Sequence, residues 1–149
     1  MKRSLLFAIA FTTFTLAGRA ATPEQEKAFV DSYRKALEAG DAKALAGFLY
    51  TKGASEDTVE FFKMMQAVDP GTKVVSVELV KPTPEEEAKF NEPMMMPDGK
   101  KYTMPIKPIK KLVIKTEFKD ANGSSSSSSS SPVAEKDGKL VIPVPVPAK

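Results

Sequence analysis

Pro143, Pro145 and Pro147 alternate with Val144 and Val146. In a strand, every second residue points its amide toward the same side. Prolines at that spacing delete the donors along one side of the segment. Residues 139–146 are therefore expected to form an edge strand of a sheet, its valines facing the core. Before it stands Asp137-Gly138, flanked by Val133-Ala134 and Leu140-Val141-Ile142. That pattern signals a two-residue hairpin turn. It pairs Glu135 with Leu140 and Val133 with Ile142, and it extends to Ser131 opposite Val144. Composition alone reads the eight serines, Ser124 to Ser131, as a flexible linker. The hairpin register instead draws the later serines into a strand, spanning about 126–135.

Upstream, the hydrophobic period distinguishes helices from strands. Thr22-Pro23-Glu24-Gln25 is a capping box with proline in the first turn. Phe29, Tyr33, Ala36 and Leu37 follow at helical spacing, so a helix is expected over about 23–39. Asp41 is placed to cap a second helix over 42–50, and Ser55 a third over 56–68. After Pro70-Gly71 the period falls to two, predicting strands over 72–81 and 107–119. In the latter, Leu112, Ile114 and Phe118 share one face while Lys111, Lys115 and Lys119 share the other. Thr83-Pro84-Glu85-Glu86 is a second capping box, opening a short helix between these strands.

At the other end, Lys2 and Arg3 precede an apolar run from Leu5 to Ala17 and the small residues Gly18 and Ala20. That is the layout of a secretory signal peptide, residues 1–20, so the protein is expected to be exported, periplasmic or extracellular. Three of the 22 lysines and arginines lie in that segment, and the rest balance the 19 acids. A neutral mature chain gives no global attraction to nucleic acid or to a membrane surface. No cysteine is present, so no disulfide framework holds the fold. No histidine is present either, which removes the usual general base and the usual zinc ligands. Neither a metal nor another cofactor is expected. Residues 21–149 are of a length that forms one domain.

The stretch from Phe29 to Tyr50 carries a resemblance. A helix with Tyr33 and Leu37 runs through Ala39-Gly40-Asp41 into a short helix with Leu45 and Leu49. This resembles the nuclear transport factor 2-like superfamily, the cone-shaped group that includes ketosteroid isomerases and polyketide cyclases. The resemblance implies an α+β fold of the cystatin-like type. The predicted elements themselves assemble as three N-terminal helices on a curved four-stranded antiparallel sheet, fewer strands than the family norm, and the resemblance adds a cavity between them. Without histidine, the His–Asp chemistry of some members is not available, and no catalytic residue is carried over.

These readings suggest a non-enzymatic binding or interaction module, taking a small apolar ligand or a protein partner. Tyr33, Tyr50, Phe62, Met65 and Tyr102 are the candidate ligand-binding residues, because each combines an apolar body with a predicted inward position. One alternative is a small-molecule isomerase or cyclase working through carboxylates and tyrosine. Such an enzyme needs an acid held protonated in an apolar pocket. Another is a copper(I) binder using Met94, Met95, Met96 and Met104, since thioethers are soft ligands. Consecutive methionines in an extended segment point to opposite faces, which argues against a shared ion.

Overall fold

Thr22 opens the first helix with both halves of its capping box formed. Its hydroxyl accepts from the Gln25 amide, and the Gln25 side chain accepts from the Thr22 amide at 2.8 Å. The structure is a computed structural model and describes residues 21–149. The expected signal peptide lies outside the described residues. Helix α1 (Pro23–Glu38) buries Phe29, Tyr33, Ala36 and Leu37. Asp41 caps α2 (Ala42–Ala46), its Oδ1 accepting from the Ala44 amide at 2.9 Å. The expected helix over 42–50 stops there, and Leu49–Tyr50 form a short strand, β1. Ser55 caps α3 (Glu56–Gln66), which packs on α2.

Strand β2 (Lys73–Val80) is followed by α4 (Pro84–Asn91), and this by β3 (Met94–Met95) and β4 (Lys101–Thr103). The long strands β5 (Lys110–Asp120) and β6 (Gly123–Lys136) then form a hairpin, and β7 (Lys139–Pro143) and β8 (Val146–Pro147) follow. One sheet has the order β1-β7-β6-β5-β2, and a smaller one has β3-β4-β8. The fold is α+β, but not the expected one. The described residues hold four helices, so the helices are not three N-terminal ones alone; α4 lies between strands, where its capping box places it. The main sheet is not a four-stranded antiparallel one. It does not end at β7, because β1 adds a fifth strand that runs parallel to it and makes the sheet mixed. A second sheet stands beside it, built partly from the segment after α4 that shows no period in the sequence.

The prolines explain part of this. Ile142 donates to the Phe48 carbonyl at 2.8 Å and Val144 to the Tyr50 carbonyl at 3.0 Å. Residues 139–146 therefore do not form an edge strand; β1 lies outside β7. The donor-free side faces β6 instead. The β6–β7 ladder runs through Lys136↔Lys139, Glu135↔Leu140 and Ala134↔Val141 and then stops, short of the expected Val133–Ile142 pair. The next hydrogen-bonded pair would be Pro132 with Pro143, and neither has an amide hydrogen. Ser131 thus never meets Val144. It pairs with Leu112 of β5, as every serine from Ser124 to Ser131 pairs with β5. Past Pro145 the chain leaves the main sheet, and Val146 and Pro147 pair with Thr103 and Tyr102 in the small one.

The core lies between α1 and the sheet. Leu112, Val133 and Ile142 are buried from three adjacent strands, and Phe29, Tyr33 and Leu37 descend on them from α1. Each such side chain contributes about 1.5–3 kcal/mol on burial. Phe29, Tyr33 and Phe48 form an aromatic cluster, with ring centroids 5.1–6.2 Å apart. In β2, Val74 and Val77 are both buried although they are three positions apart. A bulge between Val74 and Ser76 makes this possible, by adding a residue that resets the alternation.

Helix α4 has no buried residue, and an ion pair from Glu86 to Lys111 ties it to β5. Glu86 Oε2 accepts from the Thr83 amide at 2.9 Å, and Glu86 Oε1 bonds Lys111 Nζ. The Lys111 ammonium, then the Thr83 amide, hold the Glu86 carboxyl below the usual carboxylate range. A depressed folded pKa stabilises above the unfolded value, and that contribution is lost as pH falls through the folded one. An NMR titration of the Thr83 amide shift is expected to inflect below the ordinary glutamate value and to flatten in Glu86→Gln. An inflection at or above that value would show the pair unformed.

Candidate ligand-binding cleft

Helix α3 carries an apolar stripe, yet Thr58 is its one buried residue. It does not seal the sheet below it. Between α3 and the sheet lies a cleft of about 890 Å³. Phe61, Phe62 and Met65 overhang it from α3, with the Phe61 and Phe62 rings set edge to face at 6.0 Å. Ile114, Thr116 and Phe118 of β5 form the floor, continued by Ser125, Ser127 and Ser129 of β6. These residues share a face because Phe118↔Ser125, Thr116↔Ser127 and Ile114↔Ser129 are directly opposed. Phe90, Met94 and Met104 close one side. The volume lies in the upper range of ligand sites, and the walls are predominantly apolar.

Tyr33, Phe62 and Met65 line this cleft. Tyr50 and Tyr102 do not. Tyr50 lies in β1, beside the β7 pairing, and is half-buried. Tyr102 lies in the small sheet, where its hydroxyl donates to Asp98 Oδ2 at 2.7 Å. That bond holds the phenol above its usual pKa and, after the Lys100 amide, helps lower the carboxyl of Asp98. Met65, expected to face inward, is 67% exposed, because α3 stands off the sheet.

The polar side chains of the cleft are Tyr33, Gln66, Asp69 and the hydroxyls of Thr72, Thr116 and five serines. Tyr33 is 1% exposed, and burial pushes its phenol up. Gln66, at the end of α3, donates from Nε2 to the Tyr33 hydroxyl at 3.5 Å. Its Oε1 is buried with no partner among the described residues. Asp69 is the one acid on the lining, and no lysine or arginine lines it. Among the described acids, those whose pKa clearly moves are Glu24, Glu86 and Asp98, and all three move down. None of the three lines the cleft. The proton-holding acid that an isomerase would need is not found among them.

Met65, Met94 and Met104 add three thioethers to the walls, whereas Met95 projects to solvent at 65% exposure. Met94 and Met95 thus face opposite sides of β3. Among the described residues no cluster of three or more acids, histidines or cysteines could hold a metal ion. No helix among them is long and apolar enough to cross a membrane.

Sequence reasoning does not single out Gln66, Phe90 or the odd-numbered serines. A signal for the serines exists: once β5 pairs with β6 through a two-residue turn, parity places Ser125, Ser127 and Ser129 on the Ile114 face. Gln66 gives a weaker one, lying one turn beyond Phe62 on α3. Comparison of the chain with known protein families, with curated proteins and with solved structures found no match in any of the three, so the chain is assigned to no family.

Proposed function

We propose that this protein is an exported, non-enzymatic binding module whose cleft takes a small apolar ligand. The cleft between α3 and the β5–β6 face carries the reading: it is open, apolar and free of basic groups on its lining. Export rests on the charged, apolar and small-residue pattern of the first twenty residues. A non-enzymatic reading is preferred because the lining offers a single acid, Asp69, with no basic side chain beside it.

Titration with N-phenyl-1-naphthylamine, an uncharged dye that brightens in apolar surroundings, tests this. Saturable one-to-one binding is expected. Phe62→Asp should weaken it by about tenfold or more, since a carboxylate at the overhang must be desolvated or keep the cleft wet. Phe62 is only half-buried, so circular dichroism should be unchanged. No saturable binding, or equal binding by the variant, would overturn the reading. Capture of a protein partner at this face with no dye uptake would do so as well.

A further inference from the structure

We infer that the ligand carries a neutral hydroxyl on its apolar body, and that Gln66 with Tyr33 reads that hydroxyl. The inference rests on the cleft being the binding site. Its carrier is the buried, unpartnered Oε1 of Gln66. A buried acceptor left without a donor is costly, and native proteins rarely leave one so. Gln66 and Tyr33 both line the cleft, and Gln66 as a whole is only half-buried, so a turn of its terminal amide would present Oε1 to a bound molecule.

The demand of the pair is specific. Gln66 Nε2 donates to Tyr33 Oη, which leaves Gln66 Oε1 as a free acceptor and the Tyr33 hydroxyl hydrogen as a free donor. Turning the amide over does not change the balance. The Tyr33 hydroxyl then donates to Oε1, leaving a free amide hydrogen and a free lone pair on Tyr33. In either arrangement the matching group must both donate and accept. A hydroxyl does so. An ether or a carboxylate accepts only, and an ammonium donates only.

Charge points the same way. A carboxylate would enter a lining that offers Asp69 and no lysine or arginine. It would lose its hydration without a counter-charge. An ammonium could approach Asp69 but would leave the Tyr33 donor unmet. The remaining walls fit the apolar part of such a ligand. Phe61 and Phe62 give flat surfaces, and Met65, Met94 and Met104 adapt to irregular shapes. A long-chain or polycyclic alcohol is the chemical class described.

Displacement of the same dye by three probes with one twelve-carbon chain separates the cases: dodecan-1-ol, 1-methoxydodecane and dodecanoate. The alcohol is expected to displace at about tenfold lower concentration than the ether or the carboxylate. In Gln66→Leu, and to a lesser degree in Tyr33→Phe, alcohol and ether should converge while the dye still binds. Equal displacement by the three probes, or a preference for the alcohol that survives Gln66→Leu, would overturn the inference and leave the cleft standing. Dye binding that never saturates would remove the cleft, and the inference with it.

Discussion

Leu112→Ala is expected to lower the free energy of unfolding by about 3 kcal/mol. Leu112 is 0% exposed and lies in β5, the strand between β2 and β6. It stands opposite Leu79 of β2 on one side and Ser131 of β6 on the other. Removing it forfeits its transfer free energy and leaves a cavity. How far that cavity collapses decides the size of the loss. Here collapse is limited. The serine partner has almost no side chain to move inward, and Tyr33 and Leu37 are held from above by the α1 packing. Phe118→Ala on the same strand is the control. Phe118 is 37% exposed, so its truncation should cost under about 1 kcal/mol despite the larger side chain. Urea unfolding followed by circular dichroism measures both. Similar losses for the two variants would mean that the core does not lie between α1 and β5.

Gly138→Val should cost about 2 kcal/mol, for a reason with no packing in it. Asp137 and Gly138 have φ of 52° and 76°. Both central residues of the β6–β7 turn are therefore left-handed, as the type I′ hairpin requires. A Cβ placed on Gly138 meets nothing within 4 Å, so no clash contributes. The penalty is the conformation itself, and it is greatest for a β-branched side chain. The ladder it anchors has only three pairs. Weakening it also puts at risk the bond from Gln25 Nε2 to the Gly138 carbonyl, which ties the turn to the start of α1 at 3.2 Å. Asp137→Asn, by contrast, should change stability by less than about 0.5 kcal/mol, because asparagine tolerates the same backbone. A Gly138→Val variant as stable as the parent, by the same unfolding measurement, would show that the turn adopts another geometry.

The features legible in the sequence are local and chemical. The capping boxes at Thr22 and Thr83 each depend on four adjacent residues. The pairing of Glu135 with Leu140 depends only on the Asp137-Gly138 turn between them. The features that are not legible depend on distant partners. Leu49–Tyr50 is too short to show any period, so its parallel pairing with β7 leaves no trace in the sequence. The alternating prolines do delete donors along one side of a strand. Which side that is depends on the β6–β7 ladder stopping at Ala134↔Val141, and on β1 arriving to use the amides of Ile142 and Val144. The bulge in β2 inverts the burial expected beyond Val74, and no residue there announces it. For the cleft, the stripe on α3 predicts burial, but the distance at which the helix stands from the sheet is a property of the assembled fold. Gln66 acquires its meaning only beside Tyr33, 33 positions earlier in the chain.

The serine run has a consequence for how the chain tolerates changes in its own length. Most strands are locked to their neighbours because a shift of one position turns every side chain to the wrong face. Between Ser124 and Ser131 each step is chemically the same as the next. Losing or gaining a serine can be absorbed by moving the bend near Asn122, while Val133 stays against Lys110 and the buried end of the hairpin is undisturbed. The outer half of this hairpin therefore acts as a spacer whose extent can drift without disturbing what it is attached to.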